Sequence, residues 1–194
     1  QGKDIRRDSV KERFRAGISY ISDDRHGDSL VMDMTVEDNL ILRDFDRQPF
    51  SRNMVLDYRQ AEKRAREALD EYSIKTSGKS GIKTPVKLMS GGNQQKVILS
   101  REISEEAGLI VASQPTRGLD IGATQFVHET LLRQRDAGRC VLLISADLDE
   151  ILGVSDRVAV MYEGRIIGIL NRDEADVHKI GLLMGGIAKE AADE

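Results

Sequence analysis

The clearest hydrophobic pattern in the first half of the chain has the period of a helix. Over residues 58–72 apolar side chains, beginning with Tyr58, recur every three or four positions, and charged residues occupy the opposite side. This pattern predicts an amphipathic helix with one face on a core. Shorter helices are predicted over residues 9–16, which open with a serine N-cap, and 35–42, which open with a Thr-x-x-Asp capping pattern. The apolar run at residues 18–21 predicts a strand.

The second half of the chain has a different hydrophobic pattern, in which short apolar runs alternate with helical segments. The predicted helices cover residues 94–105, 123–135 and 148–152, and the predicted strands cover 109–112 and 141–144. Such alternation is typical of a parallel sheet covered by helices on both faces. Residues 157–162 and 165–170 then predict a hairpin around a Glu-Gly turn. The polar stretches 45–53 and 73–87 predict loops.

Composition narrows the class of protein without identifying it. Of 194 residues, 40% are hydrophobic and 32% charged, as expected for a folded globular chain. The net charge of −4, without a long basic block, gives no case for nucleic acid as a partner. The single cysteine, Cys140, lies in an apolar run and is predicted to be a buried, inert thiol. No stretch is apolar enough to span a bilayer, so any membrane association is expected to go through a protein partner.

The strongest chemical signal is the segment Ser90-Gly91-Gly92 directly before a predicted helix. The first backbone N–H groups of a helix have no partner within it, and the helix dipole places positive charge behind them. Together with the hydroxyl of Ser90, they form a cradle for an anion such as phosphate. A Ser-Gly-Gly segment also has a plain interpretation, as a loop that only turns into a helix.

The surrounding sequence resembles the ATP-binding cassette (ABC) ATPase family. Residues 88–97, Leu-Met-Ser-Gly-Gly-Asn-Gln-Gln-Lys-Val, resemble the family's signature motif in the version found in sugar and nucleoside importers. Residues 114–123 resemble the end of the Walker B motif and the D-loop, and residues 144–150 resemble the switch region. Residues 20–26 fall where the family has its Q-loop, and the run on to residue 40 is similar to the second cassette of tandem-cassette importers. Several motifs in the right order make the resemblance specific.

This resemblance implies an α/β fold of the P-loop NTPase type, in which helices flank a parallel sheet and an inserted helical subdomain carries the signature motif. Residues 1–26 would be a remnant of the core lobe with the Q-loop region, and residues 27–105 the helical subdomain. Residues 106–194 would be the core lobe with the Walker B-like strand, D-loop, switch region and hairpin.

A Walker A loop is not found in the sequence. The triplet Gly78-Lys79-Ser80 lacks the earlier glycine that the pattern requires, because Ser73 stands there. The resemblance therefore implies a chain that lacks the family's N-terminal strands and Walker A. Alone, such a chain is expected to have low stability or to self-associate, because sheet edges and apolar surface are exposed.

Three further positions depart from the family pattern. Ser113 stands in place of the Walker B aspartate that supports magnesium, and Gln114 in place of the glutamate that accepts a proton from water. Ala146 stands in place of the switch histidine. A glutamine amide is not a base at neutral pH. We therefore expect a degenerate nucleotide site with no catalytic or metal-binding residue, and no hydrolysis by this chain alone. ATP and Mg²⁺ are expected only in the full transporter.

Cassettes of this family work as head-to-tail pairs, in which each ATP lies between the Walker A of one cassette and the signature loop of the other. The resemblance thus assigns nucleotide contacts across the pair to Ser90, Gly91, Gly92, Asn93 and Gln94. It places Asp120 in the D-loop, where it would help to align the two cassettes. Asp120 is also a plausible N-cap of the following helix, and both interpretations are compatible.

The resemblance also implies partners. The charged loop Asp23-Asp24-Arg25 would contact a membrane permease. Its two adjacent carboxylates are also compatible with metal binding, with acid–base catalysis, or simply with charge exposed to solvent. The expected partners are a second cassette, permease subunits and, indirectly, a solute-binding protein. The expected location is the cytoplasmic face of the membrane.

Two functions of different class remain open. The first is the ATP-binding part of an importer for simple sugars or nucleosides, which supplies its signature loop to a composite site. The second is a non-catalytic interaction module that docks on a permease or a partner cassette. A chromosome-maintenance type of cassette is disfavoured, because the sequence has no sustained heptad pattern.

Overall fold

The computed structural model describes residues 4–76, 78–104 and 107–187 of the chain. The chain divides into two compact units, Gln1–Ile144 and Ser145–Glu194. No helix among the described residues is long and apolar enough to cross a membrane.

The first unit contains five helices and five strands within its described residues. In chain order they are α1 (Val10–Arg15), β1 (Ile18–Ile21), α2 (Val36–Ile41), β2 (Ser51–Arg52), β3 (Val55–Leu56), α3 (Tyr58–Glu71), α4 (Gly91–Glu102), β4 (Leu109–Ser113), α5 (Ile121–Asp136) and β5 (Cys140–Ile144). A single π-helical turn covers Arg25–Ser29, and 3-10 segments cover Gly78–Lys83 and Val86–Leu88.

The helices predicted from capping patterns and periodicity are confirmed. Ser9 and Thr35 both accept hydrogen bonds from the N3 backbone in complete capping boxes. Along α3 the alanines at every third or fourth position are fully buried. The assignment of Tyr58 to the buried face is wrong, since the side chain is 53% exposed. Tyr58 is the first helical residue, and it lies one turn before the buried stripe begins at Ala61.

The helix after the glycine pair begins earlier than the sequence indicates. The predicted start was Gln94, whereas α4 begins at Gly91 with Ser90 as its N-cap. Both glycines therefore lie in the first turn of the helix. The predicted end, Glu105, lies outside the described residues, and α4 itself ends at Glu102.

A small hairpin begins within the predicted loop at residues 45–53. Ser51–Arg52 pairs with Val55–Leu56, and the two residues between them, Asn53 and Met54, both have positive φ angles of 52° and 64°. Two left-handed residues in succession are the geometry of a tight hairpin turn. Strands of two residues are too short to produce a readable period in the sequence.

The central sheet of the first unit is parallel, as predicted. Its strand order is β1-β4-β5, and both pairings are in parallel register. One face is well covered, because Ile21, Ile110 and Ala112 on it are fully buried in the same core as residues of α4 and α5.

The opposite face of this sheet is partly open among the described residues. Tyr20, Val111 and Leu142 lie side by side in the register, and Tyr20 and Leu142 are about half exposed, at 45% and 52%. Cys140 is exposed too, which contradicts the prediction of a buried thiol. An apolar run predicts a strand, but it does not show whether the strand lies at an edge of the sheet.

A buried ionic network joins the elements around this core. The guanidinium of Arg43 contacts the carboxylate of Glu102 at 3.2 Å and donates to the carbonyl oxygen of Ile18 at 3.0 Å. Both side chains are less than 10% exposed. Arg101 contacts the other carboxylate oxygen of Glu102 at 2.7 Å. The network therefore ties the end of α4 to β1 and to the segment after α2.

The second unit is a hairpin with two helices. Its elements are α6 (Leu148–Val154), β6 (Arg157–Tyr162), β7 (Arg165–Asn171) and α7 (Val177–Met184). The hairpin is confirmed, with Glu163 and Gly164 both at positive φ in the turn. Helix α7 was not predicted; its residues Ile180 and Leu183 pack in a small core with the hairpin.

Candidate functional site

The start of α4 is shaped by Ser90 and the residues that follow it. The hydroxyl of Ser90 accepts hydrogen bonds from the backbone N–H of Asn93 at 3.4 Å and from the Asn93 side-chain amide at 2.9 Å. Ser90 thus satisfies one of the free donors of the first turn. In the described part of the chain, the N–H groups of Gly91 and Gly92 have no hydrogen-bond acceptor. These two donors, with the positive end of a 12-residue helix behind them, suit an anion.

The two glycines differ in what surrounds them. A Cβ added to Gly92 would lie 2.9 Å from the Cβ of Ala123, in the first turn of α5. A Cβ added to Gly91 would meet no atom closer than 3.8 Å, the Nη2 of Arg25. Gly92 is therefore required by the packing of α4 on α5, whereas the absence of a side chain at Gly91 leaves space.

The side chains of Asn93 and Gln94 both make hydrogen bonds to other residues of this chain. The Asn93 amide oxygen accepts from the backbone N–H of Lys75 at 2.7 Å. Gln94 is only 4% exposed; its amide nitrogen donates to the carbonyl oxygen of Val86 at 3.0 Å. The sequence assigned both residues to nucleotide contacts. In this structure both side chains hold the first turn of α4 in place.

Asp120 caps the next helix. Its carboxylate accepts a hydrogen bond of 2.8 Å from the backbone N–H of Ala123, at the start of α5. The helix-cap interpretation is confirmed. Because Ala123 also contacts the first turn of α4 at Gly92, Asp120 helps to fix the surface on which that turn rests.

The loop at residues 23–26 borders an open depression of about 220 Å³. The depression is lined by Asp23, Asp24, Arg25, His26, Arg117 and Gly118. Asp24 caps the π-helical turn by accepting from the backbone N–H groups of His26 and Gly27. Asp23 lies 3.7 Å from the guanidinium of Arg117 in an exposed ion pair. Both carboxylates are therefore engaged in local structure.

Arg25 reaches from this loop toward α4. Its Nη2 atom would contact added Cβ atoms of both Gly91 and Gly118, at 3.8 Å and 3.5 Å. Partial burial lowers the pKa of the Arg25 guanidinium, which remains a cation at neutral pH. The loop, the turn at Gly118 and the start of α4 thus meet at one place.

Ser113 and Gln114 stand at the end of β4. The backbone N–H of Gln114 donates to the carbonyl oxygen of Ile144 at 2.7 Å, and Gln114 has a left-handed φ of 45°. Non-glycine residues with such angles are uncommon and concentrate at turns and functional sites. A hydroxyl and an amide supply no charge for Mg²⁺, which prefers carboxylate and phosphate oxygens. Among the described residues no group of three or more His, Cys, Asp or Glu could hold a metal ion. These residues do not fit the expected magnesium ion.

Ala146 lies in the second unit, in the bend before α6. Its side chain is exposed and carries no polar atom. The following Asp147 caps α6 by accepting from the backbone N–H groups of Asp149 and Glu150.

Two residues of the site were missed by the sequence analysis. His26 contacts Gln94 at 3.1 Å, and Ala123 limits the space at Gly92. Both residues lie at the end of a stretch that resembles a family motif, residues 20–26 and 114–123, but neither motif assigns them a role at the glycine pair. Only their positions in the fold bring them to the start of α4.

Comparisons with known proteins agree with the resemblance. The family model described as ABC transporter matches residues 1–117. The guanosine import ATP-binding protein NupO of Bacillus subtilis is 42% identical over 191 residues, which cover 98% of this chain and 37% of NupO. The nucleoside import ATP-binding protein NupA of Lactococcus lactis is 40% identical over 184 residues, which cover 95% of this chain and 36% of NupA. The chain thus spans a little over a third of the length of these curated relatives.

Solved structures show the same fold at lower sequence identity. The ADP conformation of MJ1267, an ATP-binding cassette of an ABC transporter, has a TM-score of 0.68 and 20% identity. This match covers 98% of this chain and 72% of that cassette. A nucleotide-free cassette from an ABC transporter has a TM-score of 0.69 and 23% identity, with coverage of 87% and 66%. The predicted P-loop ATPase type of fold is confirmed.

Proposed function

The chain belongs to the ABC transporter family, and from this membership we propose that it is part of the ATP-binding component of an importer for nucleosides or simple sugars. Support for the importer class comes from relatives such as NupO and NupA, whose names describe guanosine and nucleoside import. In such an importer the loop Asp23-Asp24-Arg25 would face a permease at the cytoplasmic side of the membrane, and a solute-binding protein would act indirectly through that permease.

Within that component, we propose that the start of α4 binds the terminal phosphate of a nucleotide held by a second cassette. The observation that carries this proposal is the pair of N–H groups at Gly91 and Gly92, which have no acceptor among the described residues. The N–H groups would donate to phosphate oxygens, and Ser90 would add its hydroxyl. Packing of Gly92 against Ala123 keeps this turn in place, so little reorganisation is needed on binding.

The other half of the proposal concerns Ser113 and Gln114. Hydrolysis of an ATP bound at the end of this chain's β4, which we call its own side, would need a carboxylate to accept a proton from water. Gln114 can orient a water molecule but cannot take its proton, and Ser113 offers a metal no charge. We propose that this side is catalytically degenerate and that hydrolysis occurs where the partner cassette supplies the base.

The test introduces a negative charge and leaves the helix cap intact. Aspartate is as good an N-cap as serine, so Ser90→Asp should preserve α4 while placing a carboxylate beside the phosphate. In the complete reconstituted transporter we expect solute-stimulated ATPase activity and transport to be lost. Ser90→Asn is the matched control, because asparagine is as good an N-cap and has the size of aspartate without its charge, so both activities should be retained.

Two outcomes would contradict the proposal. If Ser90→Asp transported normally, the chain would instead act as a non-catalytic module that docks on a permease or a partner cassette. Appreciable ATP turnover by the isolated chain that survives Ser90→Arg would show that its own side is not degenerate.

A further inference from the structure

His26 contacts the first turn of α4 from a loop far away in sequence. Its Nε2 atom lies 3.1 Å from the amide oxygen of Gln94, across 68 residues of chain. Gln94 is nearly fully buried, whereas His26 is exposed and lines the depression beside Arg25. The contact therefore joins a surface loop to an internal residue of α4.

The direction of this hydrogen bond follows from the other partner of Gln94. The amide nitrogen of Gln94 donates to the carbonyl oxygen of Val86, so the amide oxygen must face His26. An oxygen accepts only, and Nε2 of His26 must carry the proton. Both the neutral Nε2–H tautomer and the imidazolium satisfy this requirement, so the contact does not depend on the charge of His26.

The loop that presents His26 is itself held in place. The carboxylate of Asp24 accepts from the backbone N–H groups of His26 at 3.1 Å and Gly27 at 2.8 Å. The guanidinium of the neighbouring Arg25 lies near Gly91 and Gly118. Residues 24–26 therefore contact α4 through the hydrogen bond at Gln94, and the side chain of Arg25 lies close to Gly91.

We propose that His26 is a positioning residue for the start of α4, which fixes the direction of the Gly91 and Gly92 N–H groups by bonding to Gln94. The inference rests on the proposed function of this turn. His26 does not touch the nucleotide; it acts through Gln94, whose side chain stands directly after the glycines and Asn93. Loss of the bond lets the first turn open, so the donors no longer converge on a phosphate.

The experiment compares two substitutions of His26 that place a side-chain N–H donor at different distances from the backbone. The amide nitrogen of glutamine lies about as far from the backbone as Nε2 of histidine, and that of asparagine about as far as Nδ1. His26→Gln should therefore keep the bond to Gln94, and His26→Asn should lose it. Both replacements are neutral, polar and at an exposed position.

The first measurement is hydrogen exchange of the backbone amides of residues 94–96 in this chain. We expect exchange to be about three- to tenfold faster in His26→Asn, the range for one neutral hydrogen bond, and unchanged in His26→Gln. The second measurement is steady-state ATPase of the complete transporter. We expect kcat to fall by a similar factor in His26→Asn with KM for MgATP little changed, because the partner cassette holds most of the nucleotide.

The results separate this inference from the proposed function. Equal exchange in the two variants would overturn the positioning role of His26, whatever Ser90→Asp does. Faster exchange in His26→Asn with unchanged kcat, where Ser90→Asp is inactive, would also overturn it, since the turn would then work without His26. An active Ser90→Asp transporter would defeat the proposed function, and faster exchange in His26→Asn would still support the contact between His26 and α4.

Discussion

Replacing Gly92 by alanine should push α4 and α5 apart. The added Cβ would lie 2.9 Å from the Cβ of Ala123, whereas ordinary contacts begin near 3.4 Å. Ala123 cannot move aside by rotating, because its Cβ is attached directly to the backbone. One helix start must therefore shift relative to the other by at least several tenths of an ångström.

The expected cost follows from two opposing effects. Overpacking of this kind destabilises a protein by about 1–3 kcal/mol. Alanine in place of glycine recovers part of this, up to about 1 kcal/mol within a helix. We expect Gly92→Ala to lower the free energy of unfolding by about 1–2 kcal/mol. At Gly91 the nearest atom is 3.8 Å from the added Cβ, so Gly91→Ala should change it by less than about 0.5 kcal/mol or increase it slightly.

The assay is urea unfolding at one low chain concentration that keeps the protein monomeric, followed by far-ultraviolet circular dichroism, because the chain contains no tryptophan for fluorescence. Ala123→Gly removes the opposing Cβ and provides a double-mutant cycle. The single change weakens the first turn of α5 by about 0.5–1 kcal/mol. In combination with Gly92→Ala, we expect a favourable coupling of about 1–2 kcal/mol, as for residues in direct contact.

Two results would refute this reasoning. If Gly91→Ala and Gly92→Ala had the same stability, the space around the two glycines would not differ as the structure shows. If the cycle gave no coupling with Ala123→Gly, the close approach of α4 and α5 at this point would be wrong.

Three further predictions concern the body of the first unit. Arg43→Met removes one of the cations that neutralise the buried carboxylate of Glu102, and should lower the free energy of unfolding by about 3 kcal/mol in the same urea assay. A loss below about 1 kcal/mol would contradict the buried network. At chain concentrations low enough to keep the protein monomeric, Cys140 should react with a thiol reagent in the folded chain at nearly the rate seen in urea, and a protected thiol would show that its strand is covered. The isolated chain should self-associate through its open sheet face. Replacing Leu142 and Ile144 together by serine should therefore lower the average mass measured by sedimentation equilibrium. An unchanged mass would show that this face is not the site of association.

Much of the first unit could be predicted from local patterns. Neighbours three or four residues apart determine the caps at Ser9 and Thr35 and the buried alanines of α3. A sequence segment of one or two helical turns is therefore enough to predict them. The glycine pair could be placed at the start of a helix for the same reason. Its exact register could not, since Ser90 and Gln94 are both compatible with a helix start when only propensity is considered.

Contacts between distant segments could not be predicted. The approach of Gly92 to Ala123 and of His26 to Gln94 depends on how α4 sits on α5 and on the loop after β1. The exposure of Cys140 depends on its side chain lying on the open face of the sheet, which an apolar run does not reveal. A single sequence carries no record of which residues meet across the fold.

The contacts that shape the start of α4 do not involve Ser113 and Gln114, the two residues for which we propose a degenerate site. Its geometry depends on the cap at Ser90, on the packing of Gly92 and on the bond between His26 and Gln94. Ser113 and Gln114 take no part in these contacts; the backbone of Gln114 bonds instead to β5. A change of side chain at the end of β4 can therefore leave the start of α4 intact. This independence is the physical reason why a chain with an impaired site of its own can still serve a nucleotide on a partner cassette, as we propose.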